Sequence, residues 1–128
     1  MLQYSDAVYE VTGTKSKIIR FPGGSNKHLD EEFLAKLHGY GFKIYDWNMQ
    51  LSDGIDYRTP PQKLYREGTK GSDRFTNIFL LMHCHGVNKN TYKALPDIIK
   101  YYKDEGDEFK VITEDTPEKH FRTRNINK

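Results

Sequence analysis

Residues 77–83 read Asn-Ile-Phe-Leu-Leu-Met-His, and Ile78 to Met82 within them form the longest apolar run of the chain. A short continuous apolar run bounded by polar residues predicts a strand of a parallel sheet covered on both faces, here placed at the centre of the fold. Downstream, residues 91–105 predict an amphipathic helix with Tyr92, Leu95, Ile98, Ile99 and Tyr102 inward, ended by Gly106. Its Pro96 is expected in or near the first regular turn, because an interior proline removes a helix hydrogen bond. Upstream, residues 49–73 are polar and turn-rich, with a helix over about 60–67 that tolerates proline in its first turn. Farther out, Lys-Ile-Ile-Arg-Phe at 17–21 predicts a strand closed by Pro22, Gly23 and Gly24. A helix follows, with Leu29, Phe33, Leu34 and Leu37 on one face and Asp30, Glu31 and Glu32 in the first turn, where the macrodipole favours anions. Residues 42–48 predict a second strand and 109–113 a last one. Residues 5–11 predict a short helix capped by Ser5 or Asp6 and stopped at Gly13. Strands alternating with helices give an α/β class with parallel pairing and right-handed crossovers. The expected organisation is a β/α domain over 1–116 and a basic, polar, solvated tail over 117–128.

The 128 residues suit one domain and are too few for a complete eight-fold β/α barrel, which needs roughly 200 to 250. Seven Phe, nine Tyr and one Trp supply apolar area enough for a core. Twenty basic against eighteen acidic side chains leave a net charge of +2, which is not the clustered footprint of a nucleic-acid binder. The single Cys84 excludes an internal disulfide framework. Residues 1–13 carry Asp6 and Glu10 with no apolar run, so they read as neither signal peptide nor membrane anchor, and Ile78–Met82 is too short to span a bilayer. Localisation stays open.

In parallel β/α folds, functional residues collect where strands end. Three polar clusters fall there. Arg20 with Pro22-Gly23-Gly24 offers a cation beside a turn whose N–H groups could face an oxyanion, or is an ordinary strand-to-helix loop. Asp53 in Ser-Asp-Gly is a turn former or a carboxylate that orients an imidazole, with Asp46 beside Trp47 as a competitor. His83 is a structural histidine or a general acid. The His83-Cys84-His85 triplet invites a zinc reading, but along a strand only His83 and His85 share a side, and no further ligand lies at suitable spacing, so no metal site is expected.

Together these clusters resemble the carboxyl-terminal half of the polysaccharide deacetylases, the nodulation-protein-B homology domain of carbohydrate esterase family four. VTGTKSKIIRFPGG at 11–24 is similar to the family's Arg-x-Pro-x-Gly region, and GFKIYDWNMQLSD at 41–53 to its Trp-x-x-Asp-x-x-Asp segment. LLMHC at 80–84 is similar to the strand ending Leu-x-His-Asp, and TYKALPDII at 91–99 to the helix that follows. The resemblance, running from about Tyr9 to Asp115, implies about half of a distorted parallel β/α barrel. It implies that Arg20 holds the catalytic base, that the Gly23 N–H stabilises the oxyanion, and that Asp53 orients His83, the general acid for the departing amine of N-acetylglucosamine. Phe21, Pro22, Trp47 and Leu81 would line the substrate pocket.

The family's Thr-Phe-Asp-Asp and His-x-x-x-His motifs, which supply the base and the ligands of a divalent metal such as zinc, do not occur. Gln50, Gly54 and Cys84 replace the family's Asp, Trp and Asp. The expectation is a truncated deacetylase-like domain without cofactor, inactive alone. Completed by an amino-terminal half, it would hydrolyse N-acetyl groups of cell-wall or chitin-like glycans. Exposed edges of a half barrel predict self-association or pairing with that missing half. The alternative is a non-enzymatic glycan-binding or interaction module using Trp47, Tyr45 and Tyr57. A metal-free hydrolase built on His83 and Asp53 lacks a convincing nucleophile.

Overall fold

Helices alternate with very short strands over residues 2–123, the part of the chain that this computed structural model describes. Residues 124–128 of the predicted tail lie outside the described residues. Two units divide the chain, Met1–Asp46 with Val111–Lys128, and Trp47–Lys110.

In the first unit, helix α1 spans Leu2–Thr12 and begins earlier than its predicted caps. Ser5 is an interior residue instead, and its hydroxyl donates to the Ser16 carbonyl at 2.9 Å. Strand β1 (Ile18–Ile19) leads through a turn into helix α2 (Glu31–Gly39), and α2 into strand β2 (Lys43–Ile44). The carboxylate of Asp30 caps α2 by accepting from the Phe33 N–H at 2.8 Å. β1 and β2 pair in parallel, Ile18 beside Lys43 and Ile19 beside Ile44, as a β-α-β crossover requires. Ile19, Phe21, Leu29, Leu37, Phe42 and Ile44 make the core, against which Phe33 and Leu34 pack. The predicted apolar face of α2 is the buried one.

Three expectations for this unit are corrected. β2 covers only Lys43–Ile44 and does not continue to residue 48. The Tyr45 N–H makes the last rung with β1, to the Ile19 carbonyl at 2.8 Å, and the next N–H, of Asp46, bonds the Lys119 carbonyl at 2.6 Å instead. Residues 109–113 form no strand; Lys119 takes the pairing position beside Tyr45, and Phe109 and Val111 stay exposed. Residues 118–121 of the segment read as solvated are held. Glu118 meets His38 Nε2 at 2.8 Å, and the Phe121 N–H donates to Asp46 at 2.6 Å.

In the second unit, strand β3 (Met49–Gln50) pairs in parallel with strand β4 (Leu80–Leu81), and helix α3 (Pro61–Thr69) lies between them in sequence. Helix α4 spans Lys89–Asp104 and packs on α3. Leu51, Leu64, Ala94, Ile98 and Tyr102 form this core. At Gly68 the two helices approach closely: a Cβ there would stand 3.1 Å from Ile98 Cδ1 and 3.3 Å from Leu51 Cδ2. The Tyr102 hydroxyl uses the same gap to reach the Gly68 carbonyl.

The strands thus form two separate pairs, not one four-stranded sheet. β4 is half-buried on both residues, whereas its apolar run predicted the best covered strand. Tyr92 is 80% exposed, and Thr91, Ala94, Ile98 and Tyr102 are the buried residues of α4. Pro96 sits well inside α4 rather than in its first turn. Proline has no N–H to return to the carbonyl four residues back, that of Tyr92, which lies on the exposed side of α4.

Candidate functional site

The second unit brings Asp53 and His83 together. Asp53 occupies a short 3-10 turn, Ser52–Gly54, which neighbouring elements hold from two sides. From α3, Glu67 accepts from the Ser52 N–H at 2.8 Å and from the Ser52 hydroxyl at 2.9 Å. From the start of α4, Asn88 Nδ2 donates to the Asp53 carbonyl at 3.1 Å, and the Thr91 hydroxyl donates to Asp53 Oδ2 at 2.8 Å. The sequence reading missed these three clamps. The signal for two of them was an Asn and a Thr three residues apart at a helix start, Asn88 and Thr91; Glu67 on α3 had none.

Asp53 is 3% exposed. Its Oδ2 also accepts the His83 backbone N–H at 2.8 Å, and its Oδ1 lies 3.0 Å from His83 Nδ1. Burial pushes the Asp53 carboxyl up, but the donations from the His83 ring, the His83 N–H and Thr91 outweigh it and hold the carboxyl below its ordinary value. An ionised Asp53 only accepts, which fixes the neutral imidazole as the Nδ1–H tautomer. Nε2 is then the nitrogen that exchanges a proton. The His83 side chain is 43% exposed, against 1% for that of Asp53, so the ring is oriented at one edge and accessible at the other.

Gly54 completes the arrangement. A Cβ at this position would lie 2.4 Å from Cε1, 2.8 Å from Nε2 and 2.9 Å from Nδ1 of His83. Only glycine leaves room for the ring where it stands. The Gly at 54, read from sequence as a departure from the resembling pattern, is here a packing requirement. Trp47 is half-buried and donates from Nε1 to Gln50 Oε1 at 2.9 Å; Leu81 is half-buried in β4, its carbonyl accepting from Leu51.

The first unit carries Arg20, Phe21, Pro22 and Gly23. Arg20, Pro22 and Gly23 are exposed, whereas Phe21 is a core residue whose ring stacks on His28 at 5.8 Å. Gly23 turns the chain with a φ of 75°, and its N–H meets no acceptor among the described residues. Asp46, the competing orienting carboxylate, accepts from the Ser25 N–H at 3.0 Å, the Ser25 hydroxyl and the Phe121 N–H. It fastens backbone and meets no imidazole. Of the aromatic residues of the binding-module reading, Tyr57 is exposed but Tyr45 is 2% exposed, which removes Tyr45 as a sugar platform.

His83-Cys84-His85 follows β4 as an exposed turn, so the alternation of a strand does not govern where its side chains point. Among the described residues no three His, Cys, Asp or Glu side chains form a group able to hold a metal ion. His83 Nδ1 is committed to Asp53. The described residues therefore offer no ligand set for the divalent metal that the resemblance implies. Among the described residues no helix is long and apolar enough to cross a membrane.

No family model matches the chain. Over 120 residues it is 29% identical to YheN of Bacillus subtilis (strain 168), provisionally named a polysaccharide deacetylase, covering 91% of this chain and 41% of that protein. Over 122 residues it is 28% identical to the peptidoglycan-N-acetylglucosamine deacetylase of Bacillus cereus (strain ATCC 14579), covering 89% and 41%. The chain therefore spans about two fifths of the length of these curated relatives. Among solved structures, the catalytic domain of the peptidoglycan N-acetylglucosamine deacetylase from Eubacterium rectale ATCC 33656 matches 96% of the chain with a TM-score of 0.81. That likeness, at 21% identity and over 59% of that protein, concerns the fold. The polysaccharide deacetylase Bc1974 from Bacillus cereus matches 94% of the chain with a TM-score of 0.72, at 25% identity and over 58% of its own length.

Proposed function

We propose that this chain, a polysaccharide deacetylase-like domain in sequence and fold, supplies the general-acid side of a site that hydrolyses N-acetyl groups on cell-wall or chitin-like glycans. The observation that carries the reading is the buried, ionised Asp53 on Nδ1 of an accessible His83. As an amide carbon–nitrogen bond breaks, the departing amine needs a proton, and His83 Nε2 is the group to give it. Asp53 keeps that nitrogen in place and stabilises the imidazolium before transfer. The Gly23 N–H, with no acceptor among the described residues, supports the oxyanion role, and exposed Arg20 supports the role of holding a carboxylate base.

The same reading treats the chain as a partial barrel that lacks the metal and base side. The half-exposure of Leu80 and Leu81 and the exposed Leu2, Tyr4, Val8, Tyr9 and Val11 of α1 support apolar surface that a companion covers. The companion is an amino-terminal half or a second copy. A strictly monomeric chain at high concentration would count against this part.

The test is hydrolysis of N-acetylglucosamine oligomers, read as acetate and free amine. The 128-residue chain alone, with zinc supplied, is expected to give no turnover. Adding a companion that carries the two absent motifs is expected to restore it, and His83→Asn to abolish it again. Turnover by the chain alone, or restored turnover that survives His83→Asn, would overturn the proposal.

A further inference from the structure

Three donors hold the Asp53 carboxylate, and two of them belong to His83: its backbone N–H reaches Oδ2 at 2.8 Å, and its Nδ1 lies 3.0 Å from Oδ1. The third is the Thr91 hydroxyl, 2.8 Å from Oδ2. The other anchors of the turn leave the carboxylate alone. Asn88 reaches the Asp53 carbonyl, and Glu67 reaches Ser52. Among the described residues, Thr91 is therefore the one donor to this carboxylate that is independent of the imidazole's own residue. Burial raises the Asp53 carboxyl, and of the contributions that bring it back below its ordinary value, only that of Thr91 does not come from His83.

Thr91 is the third residue of α4 and is 5% exposed. In a helix a threonine hydroxyl can bond a carbonyl of the preceding turn, but here it is turned out of α4 to the turn Ser52–Gly54. An ionised carboxylate only accepts, so the hydroxyl is the donor. The carboxylate it holds stands at the start of a 16-residue helix, where the macrodipole favours an anion. The terminal torsion of an aspartate is broad, and Oδ2, taken by Thr91 and the His83 N–H, sets the carboxylate plane so that Oδ1 is left for the ring. Each donor on Oδ2 also makes the carboxylate less basic. The proton of a charged imidazole then stays on Nδ1 and does not cross to Oδ1.

We propose that Thr91 is a positioning residue of the site, whose hydroxyl fixes Oδ2 of Asp53 so that Oδ1 alone faces His83 Nδ1 and the proton between them stays on the ring. Its bearing on hydrolysis rests on the reading of His83 as general acid. The arrangement itself is read in the full chain without turnover, so a completed site that fails to turn over counts against the general-acid reading and not against the role of Thr91.

The experiment compares the isotopically labelled full chain with Thr91→Val, Thr91→Ser and Asn88→Ala, using long-range nitrogen–proton NMR of the His83 imidazole and carboxyl carbon NMR of Asp53. Thr91→Val is expected to move the Asp53 titration upward and to reduce the share of neutral ring protonated at Nδ1. Thr91→Ser restores the donor and should return both readings to the native ones. Asn88→Ala loosens the same turn through the Asp53 carbonyl and should leave both as in the native chain, although it lowers the unfolding midpoint. Where Thr91→Val does not fold, Thr91→Ala, which places less strain on a helix, carries the same expectation. Native readings in the variant that lacks the hydroxyl, a Thr91→Ser chain as altered as that variant, or the same shifts in Asn88→Ala would each overturn the proposal.

Discussion

Asp46 and Asp53 are two buried carboxylates, one in each unit, 4% and 3% exposed, and each accepts three hydrogen bonds. They differ in what they hold. Asp46 takes two backbone N–H groups and the Ser25 hydroxyl, donors that do not titrate near neutrality. Asp53 takes one backbone N–H, one hydroxyl and an imidazole whose far nitrogen is accessible. Burial and satisfaction alone therefore do not mark a functional carboxylate. An exposed, titratable partner does.

The largest test of this contrast is Asp46→Ala, which leaves Ser25 and Phe121 donors without an acceptor. It is expected to cost roughly 3 to 5 kcal/mol in urea unfolding followed by circular dichroism. The imidazole resonances of His83 should not move under folding conditions. Asp53→Asn keeps the shape and loses the charge, so the expected cost is smaller, about 1 to 3 kcal/mol. In a site completed by a companion, the same change should lower turnover by on the order of 10² to 10⁴, because the ring loses its orienting charge.

Acid provides the next test. The folded Asp53 carboxyl lies below its unfolded value, so its stabilisation is fully present above that unfolded value, near ~3.9, and is lost as pH falls through the folded one. Unfolding curves taken downward from about pH 5 should fall more steeply for the native chain than for Asp53→Asn. The smallest expected change in stability belongs to Gly54→Ala, within about 1 kcal/mol, since the ring it displaces is partly solvated. It should nonetheless separate His83 from Asp53, seen as an upward move of the Asp53 titration by carboxyl carbon NMR. An unchanged titration would show that the ring finds room.

The pairing of His83 with Asp53 was legible because strand ends and turns concentrate polar chemistry, but only through the resemblance could Asp53 be preferred to Asp46. Asp46 falls in the predicted strand beside Trp47 and Asp53 in a Ser-Asp-Gly turn, and nothing local says which meets an imidazole. The helices α2 and α4 followed from their apolar spacing, and in α4 Ile98 and Tyr102 are buried as read, whereas at its start Thr91 and Ala94 are buried and Tyr92 is not. The bulky Tyr92 outweighs Thr91 and Ala94 in any apolar count, although Thr91 is buried to reach Asp53. Gly54 was visible only as a missing side chain; its role appears once the imidazole is placed above it. The span 118–121 reads as polar, and its Lys119 and Phe121 are held through backbone atoms, which a side-chain pattern does not report.

Whether His83 presents Nε2 as the proton-exchanging atom depends on which of its nitrogens carries the proton in the neutral ring. Long-range nitrogen–proton NMR of the imidazole, in the native chain and in Asp53→Asn, measures it directly. A native neutral ring protonated at Nδ1, with Nε2 titrating and the preference lost in Asp53→Asn, is the predicted result. A native ring protonated at Nε2, or one indifferent to Asp53→Asn, would contradict the account.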